Sequence, residues 1–293
     1  VPRTHLPGQR SRLWVIDLET GERRVVLESA DLLIEAPNWS PDGRDLVVNG
    51  DGRLFRIAAD GSQEHLTEID LAGVPEINND HVLSPDGATV FVSAEDGHIY
   101  AVPYAGGSHR RVTNDRGPDF HHYLHGISPD GALLAYIGLS RSADAVVTNV
   151  FTVPTEGGQD VQLTDDAFPD DGAEFSPDGA WVYFNSERAD TGAGHAQLFR
   201  MRPDGSDVEQ LTHDERVNWF PHVSPDGSMM AYVSFPAGTL GHPENLDVIL
   251  RLARPDGSDG RDLVYLFGGQ GTINVPSWAP DSRSLAYVDY PLA

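Results

Sequence analysis

A four-residue string recurs along the chain and constrains its fold more than any other feature. It reads Ser40-Pro41-Asp42-Gly43, Ser84-Pro85-Asp86-Gly87, Ser128-Pro129-Asp130-Gly131, Ser176-Pro177-Asp178-Gly179 and Ser224-Pro225-Asp226-Gly227. A degenerate sixth copy reads Ala279-Pro280-Asp281-Ser282. Successive copies start 44, 44, 48, 48 and 55 residues apart. A period of this size marks a repeat architecture, in which neighbouring units complete one another's core. The tetrad is turn chemistry: Pro presets φ at one corner, Asp bonds to backbone two residues on, and Gly accepts positive φ. Each copy therefore predicts a tight hairpin between two strands.

Around the tetrad one unit repeats. A large apolar residue precedes it in every copy: Trp39, Leu83, Ile127, Phe175, Val223 and Trp278. A β-rich run follows, such as Val90-Phe91-Val92, and then another, such as Leu54-Phe55-Arg56-Ile57. A Gly turn such as Asp204-Gly205-Ser206 leads to a short fourth segment, commonly ending in Leu-Thr or Val-Thr. The sixth unit stops at the carboxyl terminus after two strands. Ahead of the first tetrad, 13–17 and 24–27 supply an unpaired third and fourth. Docking that pair onto the final hairpin leaves no bare edge at the ring seam. The expected fold is all-β, a six-bladed β-propeller of four-stranded blades, closed by N-terminal strands that complete the last blade. Residues 1–11 read as a polar arm and 12–293 as a single propeller.

Composition narrows the function. Cysteine is absent, which removes disulfides, thiolate metal sites and a cysteine nucleophile. The formal charge is −25, and all 20 basic residues are Arg. Such a surface repels phosphate backbones, so neither nucleic acid nor an anionic membrane is an expected partner. No apolar run is long enough to span a bilayer, so no membrane insertion is expected. The chain starts at Val1 rather than Met. Cytoplasmic and secreted or periplasmic settings, the latter with a signal peptide removed, both stay open.

The tetrads, the apolar residue before them, the Asp-Gly-Ser turns and the Leu-Thr endings resemble the TolB-type propeller repeat over nearly the whole chain. That family includes periplasmic binding subunits, gating domains of tricorn and prolyl-oligopeptidase proteases, and oligogalacturonate lyases. Protease gating is not expected here, because no Gly-x-Ser-x-Gly nucleophile elbow and no hydrolase domain follow.

Loop lengths direct attention to one face. Tetrads and Gly turns lie on the bottom and are short. On the top, the links between the second and third strands of blades three, four and five are long: 138–148, 186–196 and 234–246. Segments leading into the innermost strands also open there, and they are unusually polar. They include Asn78-Asn79-Asp80-His81, His121-His122-Tyr123-Leu124-His125 and Asp170-Asp171.

The residue five places before each tetrad is Glu35, Asn79, Tyr123, Asp171, Trp219 or Asn274. Four of these six are oxygen donors, suited to Ca²⁺. The set resembles in type the central calcium site of diisopropyl-fluorophosphatase and paraoxonase propellers. A second reading gathers His81, His125 and His222 around Mn²⁺ or Zn²⁺, with His242 or Gln270 in support. This resembles oligogalacturonate lyases in ligand type.

The expectation is a metal-dependent lyase or hydrolase acting on a polar, carbohydrate-like or ester substrate at the top mouth of the channel. His122 or His125 is the expected general base, tuned by Asp170 or Asp171. Tyr123, Trp219 and Phe220 offer flat apolar surface to a substrate, with His242 and Gln270 beside them. The alternative is a non-catalytic binding propeller for a protein or peptide partner.

Overall fold

A computed structural model of the chain describes residues 3–189 and 192–292. Five four-stranded antiparallel sheets and one three-stranded sheet form the blades, and no helix occurs among the described residues. The innermost strands of blades one to five are Glu35–Trp39, Ile77–Leu83, Phe120–Ile127, Asp170–Phe175 and Val217–Val223.

The tetrads do what their composition requires. In the five intact copies the Ser hydroxyl donates to the Asp carboxylate two residues on, as in Ser40 to Asp42 at 2.7 Å. The same hydroxyl accepts from the backbone five residues on, as from Asp45 at 2.9 Å. The tetrad Gly closes each turn at positive φ. In the degenerate copy Ser282 takes that conformation, at φ 62°, and its amide still donates to the Ala279 carbonyl. Successive turns also touch: a Cβ on Gly87 would meet Pro41, and one on Gly131 would meet Pro85. The tetrads thereby ring the bottom face.

The seam closes as expected. Ser11–Asp17 pairs with Ser284–Asp289 from Arg12 onward and with Arg23–Ser29 on its other side. Arg12 clamps Asp289 through two hydrogen bonds. The innermost strand of blade six differs from the expectation. It shrinks to a single bridge, Trp278 to Leu285, because the glycine-rich 268–274 segment winds across the channel instead of extending. The core is divided among six apolar clusters, each between adjacent blades. One joins Val47 and Leu54 to Leu83, Val90 and Val92. Blades of this kind are stabilised chiefly by burial against their neighbours.

One irregularity positions the site. Every innermost strand of blades one to five carries a bulge where it runs along the channel. In blade three His125 is the extra residue, between the Leu124–Tyr136 and Gly126–Ala135 pairs. In blades one, four and five the residue four places before the tetrad has positive φ: Ala36, Gly172 and Phe220. A bulge re-aims side chains that regular alternation would hide in the sheet.

Candidate active site

The bulges converge on a cavity of about 340 Å³ at the top of the channel. Its polar lining includes Asn79, Asp80, His125, Asp171, His242 and Gln270. Ile137, Leu139, Phe220 and the ring of Tyr123 form its apolar side.

Five residues tie the polar lining into a closed ring. His125 Nε2 lies 2.8 Å from Asp171 Oδ1, and His125 Nδ1 lies 3.3 Å from the Asn274 carbonyl oxygen. Asp171 Oδ2 faces His242 Nε2 at 3.4 Å. His242 Nδ1 is bonded to Gln270 Oε1, which also accepts from Asn274 Nδ2 at 2.9 Å.

The partners fix the protons. Both ring nitrogens of His125 face acceptors, so both carry hydrogen and the ring is an imidazolium. Burial alone would lower its pKa, but the carboxylates of Asp80 and Asp171 outweigh burial and raise it to about 9. Burial works against the Asp171 carboxylate too, but the His125 cation and the bonds from His125 and His242 hold its pKa well below the usual range. Asp80 goes the other way, pushed up to about 6 by burial and further by Asp171, against the pull of His125. His242 is the open member of the set. Its Nδ1 donates to Gln270 Oε1, and its Nε2 faces Asp171 Oδ2 inside the cavity. The ring is held by Trp219 and Phe220, at 4.4 and 5.1 Å between centroids.

Of the residues singled out in the sequence, Asn79, Tyr123, His125, Asp171, Phe220, His242, Gln270 and Asn274 share this cavity. Trp219 stands behind it, in the core between blades five and six. The others are elsewhere. His122 packs among Phe120, His98 and Tyr136 between blades two and three, with Nδ1 on the Gly97 carbonyl, and burial lowers its pKa to about 4. It cannot reach the cavity as a base. His125 does reach it, but an imidazolium has no lone pair with which to take a proton. Asp170 is gripped by Arg188 through both oxygens and tunes no histidine.

The metal sets do not assemble. His81 is fully buried with Nε2 toward the Val47 carbonyl. His222 is bonded to Glu174 and to the Ile273 carbonyl. Glu35 is neutralised by Arg3, and Asn274 Oδ1 accepts from the Gly271 amide. Among the described residues no three His, Asp or Glu side chains stand where they could share an ion. The residues present therefore do not fit a resident Ca²⁺, Mn²⁺ or Zn²⁺: the positive charge beside Asp171 is supplied by His125.

Asp80, Ile137, Leu139 and Thr148 also line the cavity without having been singled out as site residues. For Asp80 a signal existed. Four consecutive polar residues, 78–81, cannot all face water from a regular strand, and a bulge is the arrangement that lets several of them do so.

Fold and site together define a class: six-bladed propellers with a polar, charge-paired cavity at the mouth of a central channel. This chain belongs to the TolB β-propeller family. Its residues 126–245 match the TolB beta propeller domain. An uncharacterised protein of Agrobacterium fabrum is 40% identical over 292 residues, covering 97% of this chain and 94% of the relative. A solved structure from Agrobacterium tumefaciens, provisionally described as TolB, superposes with a TM-score of 0.87 at 38% identity, covering 97% of this chain and 99% of that one. An oligogalacturonate lyase in complex with manganese superposes with a TM-score of 0.59 at 16% identity, covering 91% of this chain and 73% of that one. That last likeness concerns the fold alone.

Proposed function

We propose that the chain binds a small polar ligand of the carbohydrate-like or ester class in the channel-mouth cavity and acts on it by proton transfer, as a lyase or hydrolase. The observation that carries this reading is the ring of His125, Asp171, His242, Gln270 and Asn274 around a ligand-sized space. His242 Nε2 is the proton-transfer atom, with its tautomer set by Gln270. The His125 imidazolium holds Asp171 charged, and the amides of Asn79 and Gln270 address hydroxyl or carbonyl groups. Phe220 and Tyr123 take the apolar face of the ligand. With a formal charge of −25 around it, the cavity favours an uncharged or cationic ligand over an anionic one.

The test is a panel of neutral and amino sugars, glycosides and carboxylic esters, screened by thermal shift and for turnover. Binding should appear in the wild type and in His242→Gln, with turnover lowered about 10²–10⁴-fold in the variant. A panel member that binds and turns over equally in both removes His242 from the chemistry. Elemental analysis and added Ca²⁺ or Mn²⁺ form a parallel arm, and a stoichiometric ion lost in Asp171→Ala would restore the metal reading.

A second reading, docking of a protein partner, is favoured by exposed apolar side chains on the top rim. Leu240 is 73% exposed and Val146 58%, and Phe168 and Leu6 also project there. The likeness to TolB supports it. Leu240→Asp with Val146→Asp would then abolish a pull-down that leaves small-ligand binding intact.

A further inference from the structure

Beside the cavity, the channel mouth holds a second hollow of about 480 Å³, which shares Asn78, Asn79 and Gln270 with it. Arg3 of the N-terminal arm reaches into it. The Arg3 guanidinium donates to Glu35 Oε1 at 3.1 Å, to the Gln270 carbonyl at 2.6 Å and to Asn245 Oδ1 at 3.4 Å. Its carbon lies 4.1 Å from the centroid of the Tyr290 ring. A carboxylate, two further acceptors and an aromatic face around one cation are the elements of a built cation site.

The walls come from blade one (Glu35), from the long loop of blade five (Asn245) and from the final stretch of chain (Gln270, Tyr290). Ring closure brings them together whether or not Arg3 is present. Gly271 is part of the wall: at φ 85° its missing Cβ leaves room for the Tyr290 hydroxyl and the Glu35 carboxylate. Glu35 is buried among these groups, and such a carboxylate requires a cation or a proton. Beyond Arg3 the arm is anchored at its base, with buried Gln9 on Asn245 and the Tyr290 carbonyl, and it is touched down by His5 on Ser11 and the Ala30 carbonyl, so withdrawal concerns the stretch ahead of Gln9.

We propose that this cradle is a recognition site for a guanidinium or alkylammonium head group, filled in the closed arrangement by Arg3. When the arm withdraws, the cradle receives the cationic end of a ligand whose polar end occupies the adjoining cavity. The cradle stands on its own contacts, whereas the extension into the cavity rests on the function proposed above. The acidic surface would concentrate such a ligand at the mouth, and the arm would compete with it.

The probe is methylguanidinium, with methylammonium alongside and sodium chloride at matched ionic strength. Arg3→Ala should show a saturable rise in Tm at millimolar methylguanidinium. The wild type, its cradle already filled, should show none. Arg3→Ala with Glu35→Gln should bind at least about tenfold more weakly, having lost the charge-assisted bond. Arg3→Met gives the same readout should the Ala variant fold poorly. No saturable response in either single variant, or an equal response in the double variant, overturns the cradle. This readout is independent of turnover. A failure of the proton-transfer reading would appear in His242→Gln and leave methylguanidinium binding untouched. The extension is tested by an amino sugar or amino ester that binds Arg3→Ala more tightly than its uncharged analogue. Equal affinities overturn it.

Discussion

Replacing Asp171 with Asn isolates the charge chemistry of the cavity, because it keeps the side-chain shape and removes one of the two carboxylates that hold His125 protonated. The rise of the His125 pKa from 6.5 to about 9 corresponds to about 3 kcal/mol of folding free energy. The sign follows from the direction of the shift. A histidine whose pKa is higher in the folded state contributes its full stabilisation below pH 6.5 and loses it as pH rises through about 9. The window is clean on its acid side. His81 and His122 are lowered to about 4, and Asp80 and Asp170 are raised to about 6, so each is largely through its titration by neutrality. The tyrosines that are raised in the folded state keep an unfolded value near 10, so they add a shallow fall at the alkaline end that is common to the wild type and the variants. Urea unfolding followed from pH 6.5 to about 9.5 should therefore show wild-type stability falling by about 3 kcal/mol. In Asp171→Asn roughly half of that fall should remain, because Asp80 still faces the imidazolium. In Asp80→Asn with Asp171→Asn only the shallow alkaline fall from the tyrosines should remain. At neutral pH the single variant should also be less stable by about 3 kcal/mol, the cost typical of breaking a buried pair from one side. A flat wild-type profile, or a fall that survives intact in the double variant, refutes the assignment of His125 as the buried cation.

Two further outcomes follow from the fold. Gly271→Ala should cost about 2 kcal/mol more than Gly21→Ala in chemical unfolding, since both glycines have positive φ but only Gly271 has neighbours where a Cβ would go. Equal costs would mean that the 268–274 segment yields. Deleting residues 1–30 removes two of the three strands of blade six and uncovers Leu13, Val15 and Ile16 contacts in two core clusters. That variant should lose its cooperative transition and aggregate on size-exclusion chromatography, and a monomer with an intact transition would contradict the closure.

Much of the architecture was legible in the sequence because it rests on local chemistry repeated six times. Ser-Pro-Asp-Gly specifies a hairpin from its own atoms, and its spacing counts the blades. The truncated sixth unit and the orphan strands at 13–17 and 24–27 announce the closure, because an open sheet edge is costly. The face of the site was legible for a related reason: short turns fix the bottom, so polar strand starts and long links must meet at the top. Asn79, Asp171 and Asn274 fell at one repeat position and do share one cavity.

What only the tertiary structure decided was which polar neighbours point inward and what charge each bears. His122 and His125 are three residues apart and look alike in sequence. A bulge turns His125 into the channel, while His122 is packed between two blades. Repeat spacing also grouped Glu35 with Asp171, but Arg3 arrives from the arm and claims Glu35. His81 and His222 lie three and two residues before their tetrads, close to the channel by count, yet each is spent on carbonyl or carboxylate neighbours. Turn chemistry is written in consecutive residues, so the sequence determines it. Proton positions and cation sites depend on partners tens to hundreds of residues away, and the closing of the ring brings those together.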